Sequence, residues 1–264
     1  MLVIIITMFT LRINAQQKFE LLLQDNFDSL QIDHSRLANC YTWGRHIINN
    51  HVLQYYTDDR NFELQDGYLN IQGRRETIIA CIDSTKPNGK QLADSLFNLR
   101  TFYCTSGMLR SREKFQYGKF EIRCKLPAGN GTWPAFWLYG GTCGEIDIFE
   151  KPWQFHHSIT NNLHYDSAGV AIGDFRFIKS NKRNAFSKEF HTYTLVWEPD
   201  SLSWYIDNEL VRKAYHPYKD CPMELICNLA LADDNFWGHT PKRKNWQSVF
   251  TVDYIKVWQL KDQP

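Results

Sequence analysis

The sequence predicts an all-β protein, a single antiparallel β-sandwich, and two observations carry that prediction. Apolar and β-branched residues fall in short runs, many of them alternating, broken at close intervals by Gly, Pro, Asn and Asp; helix-period stretches are scarce. The chain is 264 residues long, close to the roughly 250 that one sandwich can reach. No repeat, low-complexity tract or Pro/Gly/Ser linker divides it. Residues 16–264 are therefore read as one domain.

The elements follow in order. Asp66-Gly67 turns the chain into the strand Tyr68-Leu-Asn-Ile71, and Phe115-Gln-Tyr-Gly118 opens a cleanly alternating strand, Lys119 to Leu126. Tyr193 to Trp197 leads through Glu198-Pro-Asp200 into Leu202 to Ile206, and Asp207-Asn208 turns into Glu209-Leu-Val211, a meander of hairpins. Phe250 to Trp258 closes the chain with strong strand propensity. In such a sandwich one face can hold an extended ligand.

Composition narrows the partner. Lys+Arg of 30 against Asp+Glu of 29 leaves no field to attract nucleic acid, and the short run Lys242-Arg-Lys244 does not create one. The chain is 43% hydrophobic, enough for a large core. Aromatics make up 15%, with 9 Trp and 13 Tyr, which suits stacking on sugar rings as well as it suits filling strands. Residues 2–10 are apolar and Ala15 offers a small residue at a cut, so 1–15 read as a signal peptide and the mature protein as secreted, periplasmic or cell-surface. That run has no Lys or Arg before it and is far short of the ~20 residues of a membrane helix. No other segment spans a membrane, and a monomer is expected. Seven cysteines, an odd number, show no zinc spacing, and their pairing stays open. The adjacent His156-His157 would point to opposite faces of a strand and do not read as a metal site.

Chemistry concentrates in Glu145-Ile-Asp147-Ile-Phe-Glu150. Glu145 and Asp147 share one face of a strand, whereas Glu150, five residues from Glu145, falls on the other face unless a β-bulge at Ile148-Phe149 returns it. Hydrolysis of a glycosidic bond needs two carboxyl groups, one to attack or activate water and one with raised pKa to protonate the leaving oxygen. Glu145 and Glu150 fit those roles, with Asp147 between them to separate their pKa values. Spacing alone also allows a plain polar strand face.

Ahead of these acids runs Gly131-Thr-Trp133-Pro-Ala-Phe-Trp137, followed by the glycine-rich 140–144. With Tyr117-Gly-Lys-Phe-Glu-Ile-Arg-Cys-Lys-Leu-Pro127 before and Asn161-Asn-Leu-His164, Phe190 to Asp200, Leu225 to Ala230 and Val252 to Val257 after, the chain resembles glycoside hydrolase family 16. Gln54-Tyr-Tyr-Thr57 and Thr105-Ser-Gly107 resemble its laminarinase-like members in particular. The resemblance implies a concanavalin-like jelly roll and endo-acting hydrolysis, with retention of configuration, of a β-linked polysaccharide, β-1,3-glucan or mixed-linkage glucan first. Glu145 becomes the nucleophile, Asp147 its assistant and Glu150 the acid/base. The two residues between Asp147 and Glu150 match the bulged laminarinases and algal galactanases and depart from lichenases. Trp133, Trp137, His164, Trp197 and Asn228 are implied as substrate-binding residues. No cofactor is implied for catalysis, but a structural Ca2+ is, held by Asp253 with carbonyls of Asn26 and Gly67. An agarase- or porphyranase-type hydrolase, a transglycosylase and a non-catalytic sugar-binding sandwich are the alternatives; retention of all three acids argues against the last.

Overall fold

The computed structural model describes residues 19–46, 51–81, 99–182, 184–215, 218–234, 240–243 and 245–260. The expected leader, 1–15, lies outside them. Two antiparallel sheets stack. The ten-stranded sheet contains β1 (Phe19–Asp25), β3 (Gln54–Tyr56), β4 (Phe62–Gln65), β5 (Tyr68–Arg74), β8 (Cys104–Ser106), β10 (Gly118–Lys125), β15 (His191–Trp197), β16 (Ser201–Ile206), β17 (Glu209–Tyr215) and β19 (Gln247–Leu260). The seven-stranded sheet contains β2 (Leu37–Ala38), β9 (Met108–Phe115), β11 (Thr132–Tyr139), β12 (Glu145–Glu150), β13 (Ser158–Ser167), β14 (Val170–Lys179) and β18 (Met223–Leu231). A separate two-stranded ribbon pairs β6 (Ile78–Cys81) with β7 (Leu99–Phe102). Among the described residues, pairing in both large sheets is antiparallel except at β3 with β8, which is parallel. The jelly-roll sandwich predicted from sequence is the fold observed.

Two hairpins turn where the sequence says they should. Asp66 and Gly67 take φ of 54° and 75°, and Asp207 and Asn208 take 50° and 68°. Two consecutive left-handed residues match the twist of the flanking strands, and Gly, Asn and Asp reach that region at least strain.

Alternation sorts side chains between core and solvent. On β10, Phe120, Ile122 and Cys124 are fully buried and meet Phe136, Leu138, Ile146 and Leu163 of the facing sheet in one continuous core. Trp197 belongs to this core and is 0% exposed. That corrects its expected place in the substrate groove: it lies on β15, in the sheet that does not carry the acids, and its ring packs on Tyr117 and Phe120. The parity of β15 aims it inward, and its apolar ring is worth about 2–3 kcal/mol there.

Candidate active site

The acids are brought to one face by the bulge that the five-residue offset requires. On β11, Trp137 pairs with Asp147 and the neighbouring Phe136 pairs with Phe149, so Ile148 is the extra residue; on β13, the register skips from Asp147 to Glu150. Ile148 and Phe149 are consequently both buried in the core, while Glu145, Asp147 and Glu150 face outward. A bulge frees backbone carbonyls, and side chains from elsewhere take them up. Trp204 Nε1, from the opposite sheet, donates to Asp147 O at 3.0 Å, and Asn161 Nδ2 donates to Ile148 O at 2.5 Å. The Tyr218 hydroxyl donates between Glu145 O at 2.8 Å and His164 O at 3.1 Å.

Glycines before Glu145 make room for this packing. A β-carbon at Gly144, whose φ is 137°, would collide with the Tyr218 ring, and one at Gly140 would meet Cys143 Sγ at 2.6 Å and Cys221 Sγ at 2.7 Å. Those two cysteines form a disulfide that ties this loop to the segment entering β18.

Directly paired residues on adjacent strands share a face, so the registers lay out the groove as rows across the sheet. One row reads Gly173, His164, Glu145, Tyr139, Glu224; the next reads Phe175, Asn162, Asp147, Trp137, Ile226; the third reads Phe177, Thr160, Glu150, Ala135, Asn228. Trp133 pairs with Ala230 in a fourth row. A cavity of about 230 Å³ opens beside the acids, lined by Trp133, Trp137, Glu145, Glu150 and Asn228, with Tyr41, Trp43, Tyr56 and Tyr139 as an aromatic wall. Tyr41 stacks on Trp43 at 4.6 Å, and Trp43 meets Tyr139 at 5.1 Å.

Hydrogen bonds position the acids. Trp133 Nε1 donates to Glu150 Oε1 at 2.8 Å. Asn162 Nδ2 donates to Glu150 Oε2 at 2.7 Å and to Asp147 Oδ2 at 2.8 Å, so one amide bridges two carboxylates. His164 Nε2 lies 3.4 Å from Asp147 Oδ2 and 3.8 Å from Glu145 Oε1. Burial, then the charges of Asp147 and Glu150, hold the Glu145 carboxyl well above the usual range. Burial and the charge of Asp147 do the same to Glu150, opposed by the N–H groups of Trp133 and Asn162. The hydrogen bond to Asp147 raises His164, so an imidazolium is favoured against the acids.

Trp133, Trp137, His164 and Asn228, named from sequence, thus gather at the acids. Asn228 acts one step back: its Oδ1 accepts from Trp137 Nε1 at 2.8 Å and its Nδ2 donates to Tyr56 OH at 2.9 Å, which fixes two groove rings. Sequence reasoning missed Asn162, Tyr218, Trp204, Tyr41 and Trp43. For Asn162 the signal was present, since it lies two residues before His164 and so on the same face of the same strand; the others come from distant loops or the opposite sheet.

The three residues named for calcium do approach one corner of the ten-stranded sheet. Asn26 follows β1, whose Asp25 pairs with Ile255, and Gly67 precedes β5, whose Leu69 pairs with Val252. The Asp253 carboxylate, however, is ion-paired with the Arg123 guanidinium, which already supplies the positive charge that calcium would. This arrangement does not fit a calcium site. Among the described residues, Glu145, Asp147 and His164 form the one cluster of His, Cys, Asp or Glu with atoms close enough for a metal, and hydrogen bonding and charge within the acid site account for it.

A β-sandwich with buried carboxyls of raised pKa on one strand, bordered by aromatic rings, defines the class of glycosidases that act through paired carboxyl groups. Residues 76–256 match Glycosyl hydrolases family 16, and the chain belongs to that family. It is 32% identical over 247 residues to a glucan endo-1,3-beta-glucosidase of Cryptopygus antarcticus, covering 83% of each chain. It is 29% identical to glucan endo-1,3-beta-glucosidase A1 of Niallia circulans, over 90% of this chain but only 38% of that longer protein. The laminarinase catalytic domain of Thermotoga petrophila RKU-1 superposes with a TM-score of 0.73 at 27% identity, covering 93% of this chain and 100% of that one.

Proposed function

We propose that this chain is an exported endo-β-1,3-glucanase that retains anomeric configuration, with mixed-linkage glucan as the next substrate. One observation carries the assignment of roles: the bulge at Ile148 sets Glu145, Asp147 and Glu150 on one groove face beside an aromatic wall. The relatives named for action on 1,3-β-glucan support the substrate, and the Cys143–Cys221 disulfide, a bond favoured in oxidising compartments, supports export.

In this reading the Glu145 carboxylate attacks the anomeric carbon while the Glu150 carboxyl gives its proton to the departing glycosidic oxygen, breaking the C–O bond and leaving a glycosyl ester on Glu145. Glu150, now ionised, is held by the N–H groups of Trp133 and Asn162. It then takes a proton from water as that water attacks the ester, which frees the sugar and restores both acids. Raised pKa keeps Glu150 protonated at the start. The His164 imidazolium, 3.8 Å from Glu145 Oε1, opposes that rise at Glu145 by favouring the carboxylate that attacks. No cofactor enters this chemistry.

The test is release of reducing ends from laminarin, lichenan, agarose and carrageenan, beside Glu145→Ser. Laminarin should be cut fastest and Glu145→Ser should lose at least about 1,000-fold in kcat, as expected for loss of a covalent nucleophile. Activity on agarose alone would overturn the substrate, and an equally active Glu145→Ser would overturn the nucleophile.

A further inference from the structure

We propose that Phe175 and Phe177 on β14 form a sugar-stacking platform that holds an uncharged stretch of the polysaccharide about two residues from the point of cleavage. The proposal rests on the glucanase reading above.

β14 is the edge strand of the groove-bearing sheet. Phe175 pairs with Asn162, which pairs with Asp147; Phe177 pairs with Thr160, which pairs with Glu150. The two rings therefore continue the acid-bearing rows, two strands further out. Strands lie about 4.8 Å apart, close to the advance of one pyranose unit along a chain, so the platform sits ~10 Å from the reacting bond. Both rings are partly open to solvent, at 48% and 45% exposure, on a sheet whose other large apolar side chains are mostly covered.

The rings are supported on their inner sides. Phe175 meets the His164 ring at 5.2 Å, and Phe177 meets Phe155 at 5.1 Å, both near perpendicular. A β-carbon at Gly173 would strike the Phe175 ring where it now lies. From the alternate parity of β14, Asp174 accepts from Arg212 Nη2 at 2.7 Å, and Arg212 Nη1 donates to Asn161 O at 2.5 Å. The edge strand is thereby anchored to the opposite sheet, which an edge left only to its ladder is not.

Continuity with the acid site is direct. A second hollow of about 470 Å³ runs from Glu145 and His164 to Gly173 and Phe175. Phenylalanine offers no hydrogen-bonding group, so it recognises the C–H face of a sugar ring rather than its hydroxyl pattern. Asp166 also lines this hollow beside His164, so the lining carries no net positive charge to draw a sulfated or carboxylated unit. The occupant is thus a neutral β-hexan, the same chain that the opposite flank of Trp43 and Tyr41 receives.

The experiment compares wild type, Phe177→Ala, Phe175→Ala and Phe177→Trp on a ladder of β-1,3-gluco-oligosaccharides from the trimer upward, and measures binding of the longest to each protein carrying Glu145→Ser. Phe177→Ala should lower kcat/KM about fivefold on chains long enough to reach β14, mainly through KM, and leave shorter chains within about twofold; Phe177→Trp should restore the long-chain value. Phe177 is the cleaner probe because Phe175 touches His164. Equal loss at every length, or no loss with an active wild type, would overturn the platform. So would sedimentation showing a wild-type dimer that Phe177→Ala dissolves while glycan binding stays unchanged, since the face would then serve a second copy. A wild type that cuts no glucan of any length would instead overturn the glucanase reading itself.

Discussion

Asn162 has the most consequential contacts of any single residue outside the acids. It is fully buried, and its amide nitrogen donates to both Asp147 and Glu150. Donation to a carboxylate favours the ionised form, so Asn162 lowers the pKa that burial raises and steadies the anion Glu150 becomes after giving up its proton. Asn162→Ala should therefore cut kcat by roughly 10- to 100-fold, as is common for loss of one donor to a developing charge. It should also move the alkaline limb of the pH–rate profile upward, because an unassisted Glu150 holds its proton to higher pH. A profile that falls uniformly without that shift would mean the residue only fills space. The acids themselves were legible from sequence because six residues carry all three of them and the spacing demands a bulge. Asn162 was less so: its partners stand 12 and 15 residues away, and only its parity with His164 separates the amide that bridges acids from Asn161, which holds a carbonyl.

At the scale of the element, β12 owes its shape to groups outside it. The bulge at Ile148 was predicted by parity, but what holds it open was not, because Trp204 reaches Asp147 O from 57 residues away across the sandwich. Trp204 is itself braced by the Arg212 guanidinium, 4.6 Å over its ring. Trp204→Phe keeps most of the apolar volume and removes the N–H, leaving a buried carbonyl without that donor at a cost of about 1–3 kcal/mol. A fall in Tm is expected together with a fall in kcat larger than any change in KM, since Asp147 and its neighbours lose their placement while the sugar-facing rings stay. If Tm falls and kcat holds, the bulge is maintained by Asn161 and Tyr218 alone. The same distance problem explains Trp197. Its motif resembled a groove segment, yet β15 belongs to the other sheet, and only the pairing of β10 with both β15 and β19 shows which sheet that is.

For the whole molecule, the alternation of apolar residues and the turn dipeptides were enough to read a sandwich, because both are local signals; strand order and the stapling disulfide were not, since each joins distant segments. The assembled fold then carries groups that its stability alone would not select. Glu145 and Glu150 are held above the ordinary carboxyl value of 4.5 by burial and then by the charge of Asp147 between them, and Lys151, 1% exposed, is depressed by burial to about 8. The signs follow from linkage. A carboxyl with raised folded pKa favours the fold while protonated and loses that contribution as pH rises through its folded value, so at neutral pH its ionisation opposes folding. A lysine with depressed folded pKa opposes folding while charged, and that opposition fades only as pH rises from about 8 toward 10.5. Glu150→Gln should therefore raise Tm at pH 7 by several degrees, with the gain vanishing below about pH 4.5, where the native carboxyl is protonated in both states. Lys151→Met should raise Tm at pH 7 as well, by up to about 3 kcal/mol in stability, and its gain should decline on the alkaline side instead. Melting curves of the two variants across pH 4 to 10 separate the cases. Gains that are flat with pH, or that fade at the same end for both, would show that packing and not charge sets these differences.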